Sequence, residues 1–338
     1  MRTSILAASL FFTANVGAAV EVTPYIVNGI DIIEVSSEFP SFVSLFYDRI
    51  DYDGVYGLRP FCGATLLSDQ FILTAAHCVY GDRDSQLFMS VVPQLQNEND
   101  FPYSALQRVM VEEYYYPDTY NDDTLFDDIA VLKLVSPITA VTSYAVFADS
   151  NFDDYRKASE EFFAVGHGNT QSNQDNSQEV QKTQLSYVPN AYCDIYGTST
   201  SKNLCMTGAD TSASNSIYDN ATCQGDSGGP LYWQGKQVGI TSFGPRTCGN
   251  PNVTPNSVFT EVSQYEDWIR SVMNGNETPK VVVTDSERYA HLEQQASAVA
   301  VSGNTSASGS QSSGGGGSLG FAMLSLLGIL SFMRRPIK

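Results

Sequence analysis

The chain is predicted to be all-β. Short apolar runs recur at close spacing, clusters of Gly, Asn, Asp and Pro separate them, and Tyr and Phe are plentiful at 19 and 18 residues. Many short strands punctuated in this way indicate a barrel or a sandwich. The strand signals, in order, are Ser41–Tyr47, Phe61–Leu67, Phe71–Ala75, Ile129–Val135 and Glu161–Val165, then Gln184–Val188, Pro230–Trp233, Gln237–Ser242 and Ser257–Val262. Ser263–Met273 carries Tyr265, Trp268, Ile269 and Met273 at helical spacing and reads as a short helix whose apolar stripe packs on the core.

Composition narrows the function. The 338 residues suffice for a large domain with additions. A formal net charge of −19 argues against a nucleic-acid surface, which needs a basic patch. At the N-terminus a basic Met1-Arg2-Thr3, an apolar Ile5–Phe12 and the small residues Val16–Ala19 form a signal-peptide pattern over residues 1–19. Export permits disulfides, so the six cysteines read as three bridges, of which the sequence alone allows fifteen arrangements. No Cys-x-x-Cys spacing occurs, so no metal site is expected.

The most specific segment is Cys223-Gln224-Gly225-Asp226-Ser227-Gly228-Gly229-Pro230. A serine hydroxyl becomes a useful nucleophile when a base takes its proton and donors hold the oxyanion it creates. The glycines around Ser227 allow a bend that aims the Gly225 and Ser227 amides at one spot. Of three histidines, His77 closes an apolar run ending Thr74-Ala75-Ala76-His77-Cys78. His167 lies between two glycines and reads as a turn residue, and His291 sits in a polar stretch. Asp127-Asp128 opens the apolar run Ile129-Ala130-Val131-Leu132. Asp127 is the rival by adjacency, but the apolar register starting at Ile129 favours Asp128.

These three segments, in the order His, Asp, Ser, resemble the chymotrypsin-like (trypsin-family) serine proteases over roughly residues 26–274. The resemblance implies two six-stranded antiparallel β-barrels packed together with a short C-terminal helix. It implies Ser227 as nucleophile, His77 as general base, Asp128 as its orienting carboxylate and the amides of Gly225 and Ser227 as oxyanion hole. Ser242 would support the aspartate. It pairs the cysteines as Cys62–Cys78, Cys193–Cys205 and Cys223–Cys248. It also implies a zymogen with a pro-segment at 20–25, cut between Tyr25 and Ile26, whose new amine pairs with Asp226. The substrate pocket would be lined by Ala221, Thr222, Gly244 and either Ser257 or Asn256. Ala221 stands where trypsin-like members carry an acid, so cleavage after aromatic or large apolar residues is expected. Partners would be protein or peptide substrates and protein inhibitors, with no nucleic acid and no cofactor; a monomer is expected. A catalytically silent homologue acting as a surface binding module is the alternative. Asn97-Glu98-Asn99-Asp100 reads as a solvated acidic loop rather than a calcium site.

After Asn274 the composition changes. Residues 275–318 read as a polar, then Ser/Gly-rich flexible linker. Residues 319–338 read as a short hydrophobic tail helix with a basic end. The fifteen residues Leu319–Met333 span about 22 Å as a helix, short of a hydrocarbon core of roughly 30 Å. Linker, apolar helix and Arg334-Arg335 resemble a bacterial GlyGly-CTERM sorting tail. That implies transient membrane anchoring, tail removal and a surface or extracellular location.

Overall fold

A computed structural model describes residues 26–148, 154–169, 177–208, 219–250, 252 and 254–304. The signal-like segment, the pro-segment, the Ser/Gly-rich tract after residue 304 and the apolar tail lie outside the described residues. The strands are β1 (Ile30–Asp31), β2 (Phe42–Arg49), β3 (Val55–Tyr56), β4 (Cys62–Leu66), β5 (Phe71–Thr74), β6 (Met89–Pro93), β7 (Val109–Tyr115) and β8 (Ala130–Leu134). They continue as β9 (Phe162–Gly166), β10 (Gln181–Val188), β11 (Asn203–Gly208), β12 (Pro230–Trp233), β13 (Lys236–Phe243), β14 (Ser257–Glu261) and β15 (Val281–Val282). Helices are few: α1 (Val35–Glu38), α2 (Arg83–Leu87), α3 (Glu266–Met273) and α4 (Asp285–Asn304).

Strand pairing closes two antiparallel barrels. The first runs β6-β2-β4-β5-β8-β7 and returns from β7 to β6. The second runs β10-β11-β14-β13-β12-β9 and returns from β9 to β10. Each therefore has six principal strands; the short β3 and β15 extend the first sheet and β1 the second. Both interiors are apolar. Phe46 and Val92 of the first barrel pack with Leu95 and Phe101, Leu185, Leu204, Leu231 and Phe259 fill the second, and Leu73 and Val131 of the first pack with Ile240 of the second and with Ile269 and Val272 of α3. The periodic stretch at 263–273 resolves into a 3₁₀ turn over Val262–Gln264 followed by α3, so the apolar stripe buries as its spacing predicts.

Three of the main-barrel strands, β6, β7 and β11, went unpredicted. The first two lie in a region rich in acids and tyrosines. There, strand alternation is broken by the register shift between Val111 and Glu113.

The stretch after Asn274 departs from its reading as the start of a tether. Val281 and Val282 pair with Tyr114 and Glu113 of β7. Thr284 caps the next helix: its amide and hydroxyl donate to Glu287 Oε2, and the Glu287 amide donates to Thr284 Oγ1. Arg288 is 2% exposed. Its guanidinium donates to Leu87 O at 2.6 Å and to Val111 O at 2.7 Å, the latter at the bulge where ladder bonding is interrupted. Hydrophobic patterning did not reveal this arm because a buried arginine, not an apolar stripe, anchors it. The compact body so formed reaches Ala290.

Candidate active site

His77 is carried by a 3₁₀ turn (Ala76–Cys78) directly after β5. Asp128 precedes β8, which pairs with β5, so the two residues emerge side by side. His77 N donates to Asp128 Oδ1 at 2.9 Å, and Nδ1 faces Oδ2 at 2.8 Å. A carboxylate partner assigns the proton to Nδ1. Ser242 Oγ donates to the same Oδ2 at 2.5 Å, and Thr260 Oγ1 donates to Asp128 O at 2.8 Å. Asp128 is fully buried. Burial alone would raise its pKa, but the charge of His77 and hydrogen bonds from His77 and Ser242 outweigh that and hold it below the usual carboxylate range.

Ser227 sits on the loop before β12. Its carbonyl accepts from Gly63 N at 2.8 Å, which ties the loop to β4 of the first barrel. Cys62, one residue before Gly63, is bridged to Cys78, the neighbour of His77. The next residue fits tightly: a Cβ at Gly228, φ 74°, would stand 2.2 Å from Thr74 Oγ1 and 3.2 Å from Cys78 Sγ. Ser227 and His77 segments are thus pressed together. In this structure Ser227 Oγ and His77 Nε2 do not hydrogen bond; Nε2 lies 3.9 Å from Cys78 Sγ. Such bonds are often long without substrate. The amides of Gly225 and Ser227 donate to no protein acceptor among the described residues. Gly225 has φ 105°, a conformation that favours glycine.

Asp226 is buried. Its Oδ1 accepts from Gly168 N and its Oδ2 from Cys223 N, both at 2.8 Å. Two glycines make room for it: a Cβ at Gly166 or Gly168 would meet its carboxylate at 2.2 or 2.3 Å. Ile26 is fully buried, and Val27 packs with Ala221, Cys223 and Cys248. Ala221 N donates to Val27 O at 3.3 Å. In the expected substrate pocket, the Thr222 and Ser257 hydroxyls are 3.0 Å apart. Gly244 faces Ser257, whose Oγ would be 3.8 Å from a Cβ placed there. Asn256 is also buried, with its amide donating to Tyr192 O at 2.9 Å and its carbonyl accepting from Tyr196 OH.

All three cysteine pairs occur as the resemblance implied: Cys62–Cys78, Cys193–Cys205 and Cys223–Cys248. Cys62, His77 and Cys78 cluster closely enough for a metal, but both sulfurs are already in the disulfide. His167, whose flanking glycines suggest a turn residue, lies in the interior. It is buried just past β9 with Nε2 at 3.1 Å from Leu95 O, and burial pushes its pKa down to about 4. Two site features escaped sequence reasoning: Thr260, which holds the Asp128 main chain, and the partners of Asp127.

Comparison with known proteins settles the family. A family model described as Trypsin matches residues 35–269. The chain belongs to the trypsin family and is a serine endopeptidase. It is 30% identical over 262 residues to Brachyurin of Leptuca pugilator, covering 73% of this chain and 97% of that one. It is 30% identical to Chymotrypsin-2 of Vespa crabro, over 63% of this chain and 88% of that one. It is also 30% identical to human chymotrypsin-like elastase family member 1, over 64% and 82%. A solved structure titled human heparin binding protein shares the fold at a TM-score of 0.59 and 23% identity, covering 75% of this chain and 98% of that one. Mouse neuropsin, titled a serine protease, matches at 0.56 and 26%, covering 72% and 98%.

Proposed function

We propose that this serine endopeptidase works through His77, Asp128 and Ser227. Ser227 Oγ attacks the scissile carbonyl, His77 takes its proton and returns it to the leaving amine, and Asp128 holds the imidazole in the required tautomer. The amides of Gly225 and Ser227 stabilise the tetrahedral oxyanion. Water then hydrolyses the acyl-enzyme by the same exchange of protons. The observation that carries this reading is the Asp128 carboxylate. It takes the main chain and Nδ1 of His77 at 2.9 and 2.8 Å while Ser242 holds it from behind.

The zymogen reading is part of the proposal. Cleavage between Tyr25 and Ile26 would free an amine to pair with Asp226, a carboxylate whose burial calls for a partner charge. We propose cleavage after aromatic or large apolar residues, since Ala221 offers no charge and the hydroxyls of Thr222 and Ser257 satisfy one another. Such a pocket accepts Tyr25, so the enzyme activates itself. Export is supported by the leader pattern and by three disulfides, with the C-terminal segment as a removable anchor.

A fluorophosphonate probe tests the centre. We expect stoichiometric labelling at Ser227, abolished in Ser227→Ala and His77→Ala. An unlabelled but folded and N-terminally trimmed protein would overturn the reading in favour of a silent binding homologue, for the fold alone does not decide activity. Terminal mass determination on secreted material should find Ile26 first, and Ser227→Ala should keep residues 20–25. A peptide library cleaved strictly after Arg or Lys would sink the pocket assignment.

A further inference from the structure

Asp127 has its own set of partners. It stands beside Asp128 at φ 54° with its side chain buried. Lys202 Nζ donates to Oδ1 at 2.8 Å, Tyr265 OH donates to the same oxygen at 2.6 Å, and Thr119 Oγ1 donates to Oδ2. Lys202 also lies over the rings of Phe126 and Tyr265 at 5.1 and 5.2 Å. The three donors come from three places: the loop between β7 and β8, the turn entering β11, and the residue before α3. Ile129 N donates to Asp127 O at 2.9 Å, closing a three-residue turn with Asp128 at its centre. Burial would push the Asp127 carboxyl up, but Lys202, Thr119 and Tyr265 together hold it below its ordinary value. It is an ionised carboxylate locked to a lysine.

We propose that Asp127, with Lys202, Tyr265 and Thr119, is the positioning unit of the Asp128–His77 pair: it pins the turn from which Asp128 projects and balances a charge beside it. The inference rests on the catalytic reading above and goes beyond it, because it assigns a role to residues that touch neither substrate nor reacting atoms. Asp127 is then no rival to Asp128 but its anchor in the second barrel and α3. The other ionisable groups facing this region are Tyr120, whose pKa is raised by burial and by Asp128, and Tyr265, raised by burial and by Asp127. Behind Tyr265 lies Glu261, which accepts from Arg156 Nε at 3.1 Å. Asp127 and Lys202 are charges that can be removed without altering His77, Asp128 or Ser242.

The test is the pH profile of kcat/KM on a chromogenic peptide, alongside probe labelling at Ser227. Lys202→Met leaves an uncompensated anion that favours the protonated imidazole. The acid limb should move up by roughly half a pH unit, as expected for one charge at moderate distance and high effective dielectric. Asp127→Asn leaves an uncompensated cation and should move the limb down by a similar amount. Both should lower kcat about 10-fold with KM little changed. Lys202→Arg should restore most of the rate, and Arg270→Gln, at an exposed site, should leave profile and rate unchanged. Parallel losses without opposite displacement would overturn the positioning role. If Lys202→Met fails to fold, the direction taken by Asp127→Asn decides. A wild-type protein that neither cleaves nor labels would instead bring down the catalytic reading and this proposal with it.

Discussion

His77 and Asp128 are fixed by other side chains, whereas the loop around Ser227 is fixed by main chain and by the absence of side chains. On the histidine side, Ser242 Oγ donates to the buried Asp128 carboxylate, Thr260 Oγ1 donates to the Asp128 main-chain carbonyl, and Lys202 donates to the neighbouring Asp127 carboxylate. On the nucleophile side, Gly63 N donates to Ser227 O, Gly228 N donates to Thr241 O, and Gly166, Gly168, Gly225 and Gly228 leave space that neighbouring atoms fill. The two halves should therefore fail differently. Adding one carbon should damage the nucleophile side, and removing one polar group should damage the histidine side.

The sharpest test of that contrast is Gly168→Ala. Its new Cβ would fall 2.3 Å from Asp226 Cγ, and Asp226 is buried with both oxygens engaged. The carboxylate must move, carrying the Gly225–Ser227 amides with it. A displacement near 1 Å in such a site costs about 10²-fold in rate. We expect a loss of that size in kcat/KM with the fold retained, read by active-site titration against circular dichroism. A variant with more than half of wild-type activity would show that the cradle is loose and the contrast unfounded.

The arm after α3 extends the comparison to stability. Arg288→Met removes the donors to Leu87 O and Val111 O and leaves two buried carbonyls without them. Each stranded acceptor costs about 1–3 kcal/mol, so unfolding free energy should fall by roughly 3 kcal/mol. For a domain of this size that lowers Tm by about 10 °C. The gap between Leu87 and His77 is bridged by Gln86 Nε2, which donates to Val79 O at 2.8 Å, so kcat should fall modestly as well. Truncation after Asn276 should reproduce the loss. Unchanged melting in both would return the arm to the status of a tether.

What was legible follows the same division. The Ser227 segment and Thr74–Cys78 announce themselves because backbone geometry demands glycine or small residues at fixed offsets, and such demands leave a readable string. Strands such as β4, β5 and β13 were legible because short runs of apolar and β-branched residues stand between turn-forming clusters, and each is buried along nearly its whole length. By contrast, β7 carries Glu112, Glu113, Tyr114 and Tyr115, whose polar ends find partners of their own, as where Tyr115 OH donates to Glu113 and Tyr114 OH donates to Gln86 O. Arg288 and Asp127 are ordinary surface residues by type, and their partners lie 201 and 75 positions away in the chain. Polar networks of that reach carry no local signature. His167 misled for a related reason: flanking glycines suggested a turn, yet they exist to admit Asp226.

His167 supplies the smallest and most diagnostic effect, because it belongs to neither style of fixation. It is a buried neutral imidazole whose pKa is lowered to about 4 by burial, with the Leu95 carbonyl opposing that shift. The unfolded chain takes up a proton near 6.5, and the folded protein does so near 4. Between those values the unfolded state holds more protons, so stability must rise with pH through the window and fall as pH drops through it. The full difference is about 3 kcal/mol, an upper bound because Glu98 Oε1 stands 3.9 Å from Nδ1 and favours the protonated ring. Buried carboxylates with lowered pKa values, Asp127 and Asp128, lose their contributions at lower pH, so the slope immediately below 6.5 belongs chiefly to His167. His167→Phe should flatten that part of the curve, measured by urea unfolding at half-unit steps, without altering the acid limb of kcat/KM. A slope that persists in His167→Phe would mean that another buried base titrates there. A limb that moved with it would mean that the Gly166–Gly168 cradle, and not the Asp127 unit alone, transmits charge to His77.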